Sequence, residues 1–168
     1  MAAGNTYVAL ATNTLGSAAA SVTFSSISGA YTDLVLVCNA LSARGSDDSL
    51  FFELNSDTGS NYSVTRLYGN GTSAISSQSS SQTKGILASN MIGTGSTTFT
   101  PFIINLNNYS NTTTYKTILS RQSYAGGEVG AFVNLWRSTS AISTIKVYAA
   151  SANLASGSTF QLFGILAA

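Results

Sequence analysis

Ten short apolar runs, separated by turn-forming residues, constrain the fold of this chain more than any other feature. They recur about every 12 to 15 residues and are rich in the β-branched and aromatic side chains that suit strands. The runs cover residues 22–24, 33–41, 50–54, 62–67, 85–91, 99–106, 115–121, 129–136, 142–148 and 160–166. Such spacing is typical of all-β sandwiches and barrels.

Residues that tolerate positive φ separate many of these runs. They include Asn70-Gly71, Asn107-Asn108, Gly126-Gly127 and the segment 57–59. No window has a helical period with capping residues at both ends. We therefore predict an all-β fold, namely a two-sheet antiparallel β-sandwich that is jelly-roll-like and has about eight to ten strands.

Three segments and one proline have distinct expectations. Residues 17–168 are predicted to form a single β-sandwich domain, and residues 1–16 an N-terminal arm or an edge strand. The Ser-, Gln- and Thr-rich segment 72–83 is predicted to be a long loop. Pro101 lacks a backbone donor, so it belongs at a sheet edge, a bulge or a strand start.

The chain is almost uncharged. Lys and Arg number seven, Asp and Glu six, and histidine is absent, which leaves a net charge of +1. The basic residues are scattered singly, whereas nucleic-acid binding needs a basic stripe, so we expect no direct nucleic-acid contact. Weak self-repulsion favours association. We therefore predict a homo-oligomer, specifically a trimer.

Cys38 is the single cysteine, so an intrachain disulfide is impossible. It lies in the apolar run 33–41 and is interpreted as a buried packing residue. A catalytic thiolate needs an activating base, and the usual histidine is missing. Zinc sites need clusters of His and Cys, and we expect neither a metal ion nor a cofactor.

Six carboxylates are available for acid–base catalysis. These are Asp33, Asp47, Asp48, Glu53, Asp57 and Glu128. Glu53 is predicted to face solvent, and Asp47-Asp48 and Asp57 to lie far apart at opposite ends of one strand. Asp47-Asp48 and the segment 55–57 are weak fragments of a calcium loop and are better interpreted as turns. A glycosidase pair needs only two acids and stays open as an alternative, but we predict that the protein is not an enzyme.

Aromatic residues are the remaining candidates for function. Trp136 is interpreted first as a core residue whose indole N–H is satisfied by backbone. The alternatives are a subunit contact, which we favour second, or a sugar-binding groove. Tyr7, Trp136 and Arg137 are thus the predicted interface residues. Asn-x-Ser/Thr sites at Asn61, Asn70, Asn108 and Asn111 are interpreted as incidental.

Neither secretion nor membrane insertion is expected. The first ten residues have no positively charged start, and no apolar run of signal-peptide length follows them. No stretch approaches the ~20 apolar residues that span a bilayer. We expect a soluble product that stays in the compartment where it is made.

Several segments together resemble small β-rich structural proteins of tailed bacteriophages. The segments are SSI at 25–27 with YTDLVL at 31–36, FELNSDTGSNYS at 52–63, WRST at 136–139 with AI at 141–142, and GSTFQLFGI at 157–165. The likeness extends over most of the chain from about residue 20. These are turn and strand signatures, which define a module better than a role.

The resemblance implies a capsid decoration (cement) protein that binds and stabilises the head shell. The alternative is a tail fibre or other tail component that carries a receptor- or carbohydrate-binding β-sandwich. Either role implies a virion location after synthesis in the host cytoplasm, with the major capsid protein or other virion proteins as partners. No catalytic residues come with the resemblance.

Overall fold

A computed structural model describes residues 6–94 and 97–166, and within these residues it contains strands and no helix. The strands are β1 (Tyr7–Thr14), β2 (Val22–Phe24), β3 (Asp33–Ser42), β4 (Asp48–Leu54), β5 (Tyr62–Gly69), β6 (Ala74–Gln82), β7 (Gly85–Thr94), β8 (Thr100–Asn107), β9 (Lys116–Tyr124), β10 (Glu128–Trp136), β11 (Ile145–Ala149) and β12 (Thr159–Ile165). The all-β prediction is confirmed.

The strands form one open, mixed sheet made of two antiparallel successions. Eight strands follow the order β1-β12-β3-β8-β9-β10-β5-β6, and four follow the order β2-β11-β4-β7. A short parallel pairing of β3 with β7, at Leu41–Gly93 and Ser42–Thr94, joins the two. The prediction of purely antiparallel pairing is wrong at this junction, and the described residues form twelve strands, more than the eight to ten expected.

The two additional strands lie at the two edges of the eight-strand succession. Residues 7–14 pair with β12, so they form an edge strand, which is one of the two alternatives predicted for the N-terminal segment. Most of the segment 72–83, predicted to be a loop, forms β6 against β5. An edge strand needs one backbone ladder and little apolar burial, so hydroxyl- and amide-bearing side chains are compatible with it.

Alternation along β9 and β10 separates a core side from an outer side. Ile118 and Phe132 are fully buried on the core side, whereas Leu119 and Val133 are exposed on the other. Strand β7 contacts both β9 and β10 on the core side. The core therefore lies between β7 and the centre of the eight-strand succession.

Three of the four turns predicted from residues that tolerate positive φ contain such a residue in the structure. Gly71, Gly127 and Asn108 have φ of 84°, 112° and 51°. In the turn after β4, however, the left-handed residues are Asn55 and Ser56, at φ 51° and 58°, and not the predicted segment 57–59. Asparagine tolerates this region because its side chain bonds locally.

Pro101 is the second residue of β8, as predicted for a proline at a strand start. Its neighbour in β3 is Asn39, and the pairing of β8 with β9 begins only at Phe102. The missing backbone donor of the proline therefore removes nothing from the β8–β9 ladder.

Candidate functional site

Trp136, the central predicted interface residue, lies in the core and is 2% exposed. Its indole stacks on Tyr62 with ring centroids 6.4 Å apart. The Nε1–H donates to Asp57 Oδ2 at 2.7 Å, so the expectation of a backbone acceptor is wrong. A carboxylate replaces it because the turn after β4 brings Asp57 to the end of β10.

Asp57 is held by three donors. Besides Trp136, Asn61 Nδ2 donates to Oδ2 at 2.9 Å and the Gly59 N–H donates to Oδ1 at 2.9 Å. Burial raises the pKa of Asp57, but the hydrogen bonds from Trp136, Asn61 and Gly59 outweigh it and hold the pKa below its usual range. This carboxylate, fully engaged by donors of its own chain, has a structural role.

The other two predicted interface residues are not close to one another. Arg137 follows Trp136, is half-buried, and its backbone N–H donates to Asn61 O at 2.9 Å. Tyr7 is 60% exposed on β1 and packs edge-on against Phe163. Four strands, β12, β3, β8 and β9, separate β1 from β10, so the three residues do not form one patch.

The remaining carboxylates are distributed around the molecule. Glu53 was expected to face solvent, but its side chain is 13% exposed and pairs with Lys146 at 3.2 Å, because Lys146 is its neighbour across the β4–β11 ladder. Asp48, expected in a turn, begins β4 and is fully buried, where it accepts from Ser42 Oγ at 2.8 Å. Within the described ranges, no group of three or more metal-ligating His, Cys, Asp or Glu residues occurs.

Three further predicted positions have structural roles. Asp47 accepts from the Tyr124 hydroxyl at 2.9 Å, and Asp33 Oδ1 accepts from the Asn108 N–H at 2.6 Å. Cys38 is 1% exposed, and burial raises the pKa of its thiol. The thiol is therefore protonated and shielded at neutral pH, as expected of a packing residue.

Two of the four candidate glycosylation positions, Asn111 and Asn70, stabilise turns through their side chains. Asn111 Oδ1 accepts from the Thr113 and Thr114 N–H groups at 2.7 and 2.8 Å. Asn70 Oδ1 accepts in the same way from Thr72 and Ser73. These are Asx turns, in which the side chain replaces a backbone acceptor.

An exposed apolar surface was missed by the sequence analysis. We define the outer sheet face as the odd-numbered side chains of β12, β3, β8, β9, β10 and β5, on the side away from β7. Leu67, Leu119, Val129 and Val133 lie on it with exposed fractions of 58, 46, 61 and 43%. The alternation of Val129 and Val133 in β10 was the available signal. It does not tell which side of the strand is covered.

A second feature is a cavity of about 360 Å³ between β1, β12 and the segment that follows β2. Leu10 of β1, Leu162 of β12 and the segment 23–28 line it, together with Tyr31. Ser26, in this lining, has a φ of 55°. Hydroxyl groups beside an aromatic ring form a lining compatible with a small polar ligand.

Comparison with protein-family models finds no matching family, and comparison with curated proteins finds none with significant sequence similarity. Among the residues that the structure describes, no helix is long and apolar enough to cross a membrane.

Proposed function

We propose that this chain is a non-enzymatic structural protein of a tailed-bacteriophage virion. In this proposal it is a capsid decoration (cement) protein that binds the head shell and stabilises it. Its partners are further copies of itself, in a homotrimer, and the major capsid protein. It is made in the host cytoplasm and resides in the virion, without direct contact to nucleic acid or membrane.

The outer sheet face is the observation that carries this proposal. A decoration oligomer whose copies must stay associated through changes in salt needs contacts that ions do not screen, and burial of apolar surface between the copies meets this need. Leu67, Leu119, Val129 and Val133 provide apolar surface on a rigid sheet. The low overall charge, 8% of residues, supports the same role.

We also propose that the two strand successions pack as the two layers of a β-sandwich with a jelly-roll-like course. Support comes from Asn134 of β10, whose side-chain amide accepts from the Ile86 N–H at 2.8 Å and donates to the Ile86 carbonyl at 2.9 Å. An experimental structure of the purified protein tests this. Layers stacked about 10 Å apart would support it, and successions lying side by side would refute it.

A tail component with a receptor- or carbohydrate-binding β-sandwich is the second candidate. The cavity beside Tyr31 and the segment 23–28 favours it, because sugars bind through hydroxyl partners and aromatic rings. The Ser28 carbonyl accepts from the Tyr109 hydroxyl, which fixes one end of this segment. A preformed wall of this kind suits a binding site.

Immunogold electron microscopy of particles encoding this protein distinguishes the candidates, with antibody raised against the purified chain. Label over the head is the expected result. Label on the tail would overturn the decoration role and support the tail component. Unlabelled particles, in the presence of a labelled control against a known head protein, would refute both candidates.

A further inference from the structure

We infer that copies of this chain pack against one another through the outer sheet face, with Arg121 of one copy facing Asp33 of the next. This inference rests on the proposed self-association and specifies the surface and the polar contact that carry it.

The exposed apolar side chains are adjacent, not scattered. Val133 pairs with Leu119 across the β10–β9 ladder, and Ala131 pairs with Leu67 across the β10–β5 ladder. Directly paired residues have side chains about 5 Å apart, so they form one patch. Soluble monomers rarely expose a large contiguous apolar patch without a partner.

Only two charged side chains belong to this face among the described residues, Arg121 of β9 and Asp33 of β3. Every other odd-numbered position of the six strands is apolar or uncharged. A face with one cation and one anion has no excess charge to attract a polyanion or a charged membrane. Its cation and its anion can instead each pair with the opposite charge on a second copy of the face.

The positions of the two charges allow such a match. Arg121 pairs with Ile103 in β8, and Asp33 pairs with Asn107, four residues further along that strand. Standard strand spacing and rise then separate the two positions by about 17 Å. Because they are well apart, the two charges can each meet the opposite charge of a second copy, and such face-to-face packing closes as a pair about a two-fold axis.

The size of the face is sufficient for a stable interface. Six strands at about 4.8 Å spacing, each with about seven residues at 3.4 Å rise, cover about 700 Å² in projection. A standard protein interface buries about 800 Å² per partner. One face against another therefore reaches the range of specific, stable association.

The first test is the native mass of the chain at micromolar concentration, by sedimentation, for the natural sequence and the double variant Leu119→Glu/Val133→Lys, whose opposite charges face each other across the β9–β10 ladder. Both side chains are exposed in the single chain, so the variant is expected to fold. Leu166→Glu is the matched control, because Leu166 is similarly exposed, at 42%, at the end of β12 and outside the face. Circular dichroism and melting temperature verify the fold of each.

We expect an oligomer for the natural sequence and the control, and a folded monomer for the double variant. An oligomer that persists in the double variant would overturn this inference while leaving the proposed self-association intact. A monomeric natural sequence would overturn both. A natural dimer would support the face and contradict the proposed trimer.

The second test is a charge exchange between the two positions. Arg121→Glu places a carboxylate against the next copy's Asp33, and like charges at an interface raise the dissociation constant by about tenfold or more. Adding Asp33→Lys to that variant should restore most of the lost affinity. Arg44→Glu, the same charge change in the exposed connection between β3 and β4, should leave it unchanged. Asp33→Lys also removes the hydrogen bond from the Asn108 N–H, so the melting temperature of the exchange variant is measured as well. Failure of the folded exchange variant to restore affinity would refute the Arg121–Asp33 contact.

Discussion

Trp136 and Asp57 lie 79 residues apart in sequence, and the indole Nε1 donates to Asp57 Oδ2 at 2.7 Å. This bond joins the end of β10 to the turn after β4. It also gives a buried indole its one required acceptor. The turn and the strand therefore stabilise each other, and the pair is a direct target for measurement.

Trp136→Phe should lower the free energy of unfolding by about 2–4 kcal/mol, because it removes a hydrogen bond to a charged group and shrinks a buried ring. Urea denaturation measures this. The same substitution in an Asp57→Asn background should cost less, since the acceptor is already altered. Equal costs in the two backgrounds would show that the pair is not coupled.

Stability should fall in acid through Asp57. Its pKa is lower in the folded chain than in the unfolded chain, so its contribution is full above the unfolded value of about 3.9 and is lost as the pH falls through the folded value. The difference in unfolding free energy between the natural chain and Asp57→Asn should therefore shrink below about pH 4. A pH-independent difference would contradict this.

Asn134→Ala should destabilise the contact between β10 and β7. The Asn134 amide satisfies both the N–H and the carbonyl of Ile86, and buried groups left without partners cost about 1–3 kcal/mol each. We expect a loss of about 2–4 kcal/mol in urea denaturation. Asn107→Ala, at the exposed end of β8, is the control and should change stability by less than about 0.5 kcal/mol.

Gly85→Ala should strain the start of β7. A Cβ there would lie 2.0 Å from the ring of Phe52, which is buried at 2% exposure and has no free space to move into. Overpacking of this kind costs about 1–3 kcal/mol, seen as a lower melting temperature. Gly45→Ala, with nothing within 4 Å of its Cβ, should have little effect. Equal melting temperatures would contradict the close approach.

Cys38 should be unreactive in the folded chain. Its thiol is buried and burial raises its pKa, and only the exposed thiolate reacts. A disulfide reagent should modify it slowly under native conditions, at a rate set by opening of β3, and fully in denaturant. Rapid modification of the native chain would show that β3 is accessible.

The sequence predicted most strands because their apolar residues alternate or run continuously. Strand β3 is apolar on both sides, as is typical of a central strand, and in the structure it pairs with β12 and β8. Strand β6 was missed because Ser and Gln carry no such period and an edge strand needs none. Residues 74–82 form a strand because their backbone pairs with β5, and a local sequence pattern does not show this pairing.

The candidate site was predictable only in part. The sequence singled out Trp136 and Asp57 separately, yet their hydrogen bond depends on the turn after β4 meeting the end of β10. The apolar positions of β10 were visible, whereas their exposure depends on which side β7 covers. Glu53 was assigned to solvent because it alternates with the apolar Phe52 and Leu54, and that pattern does not show its cross-strand partner Lys146, which lies 93 residues away.

The sequence by itself determined the all-β class, the positions of most strands and turns, and a nearly uncharged surface. These follow from local periodicity, side-chain shape and composition, which act over a few residues. Only the tertiary structure decided the strand order, the parallel β3–β7 junction, the partner of Trp136 and the side of the sheet left uncovered. Those features depend on contacts between residues far apart in sequence, whose free energy arises only when the whole chain packs.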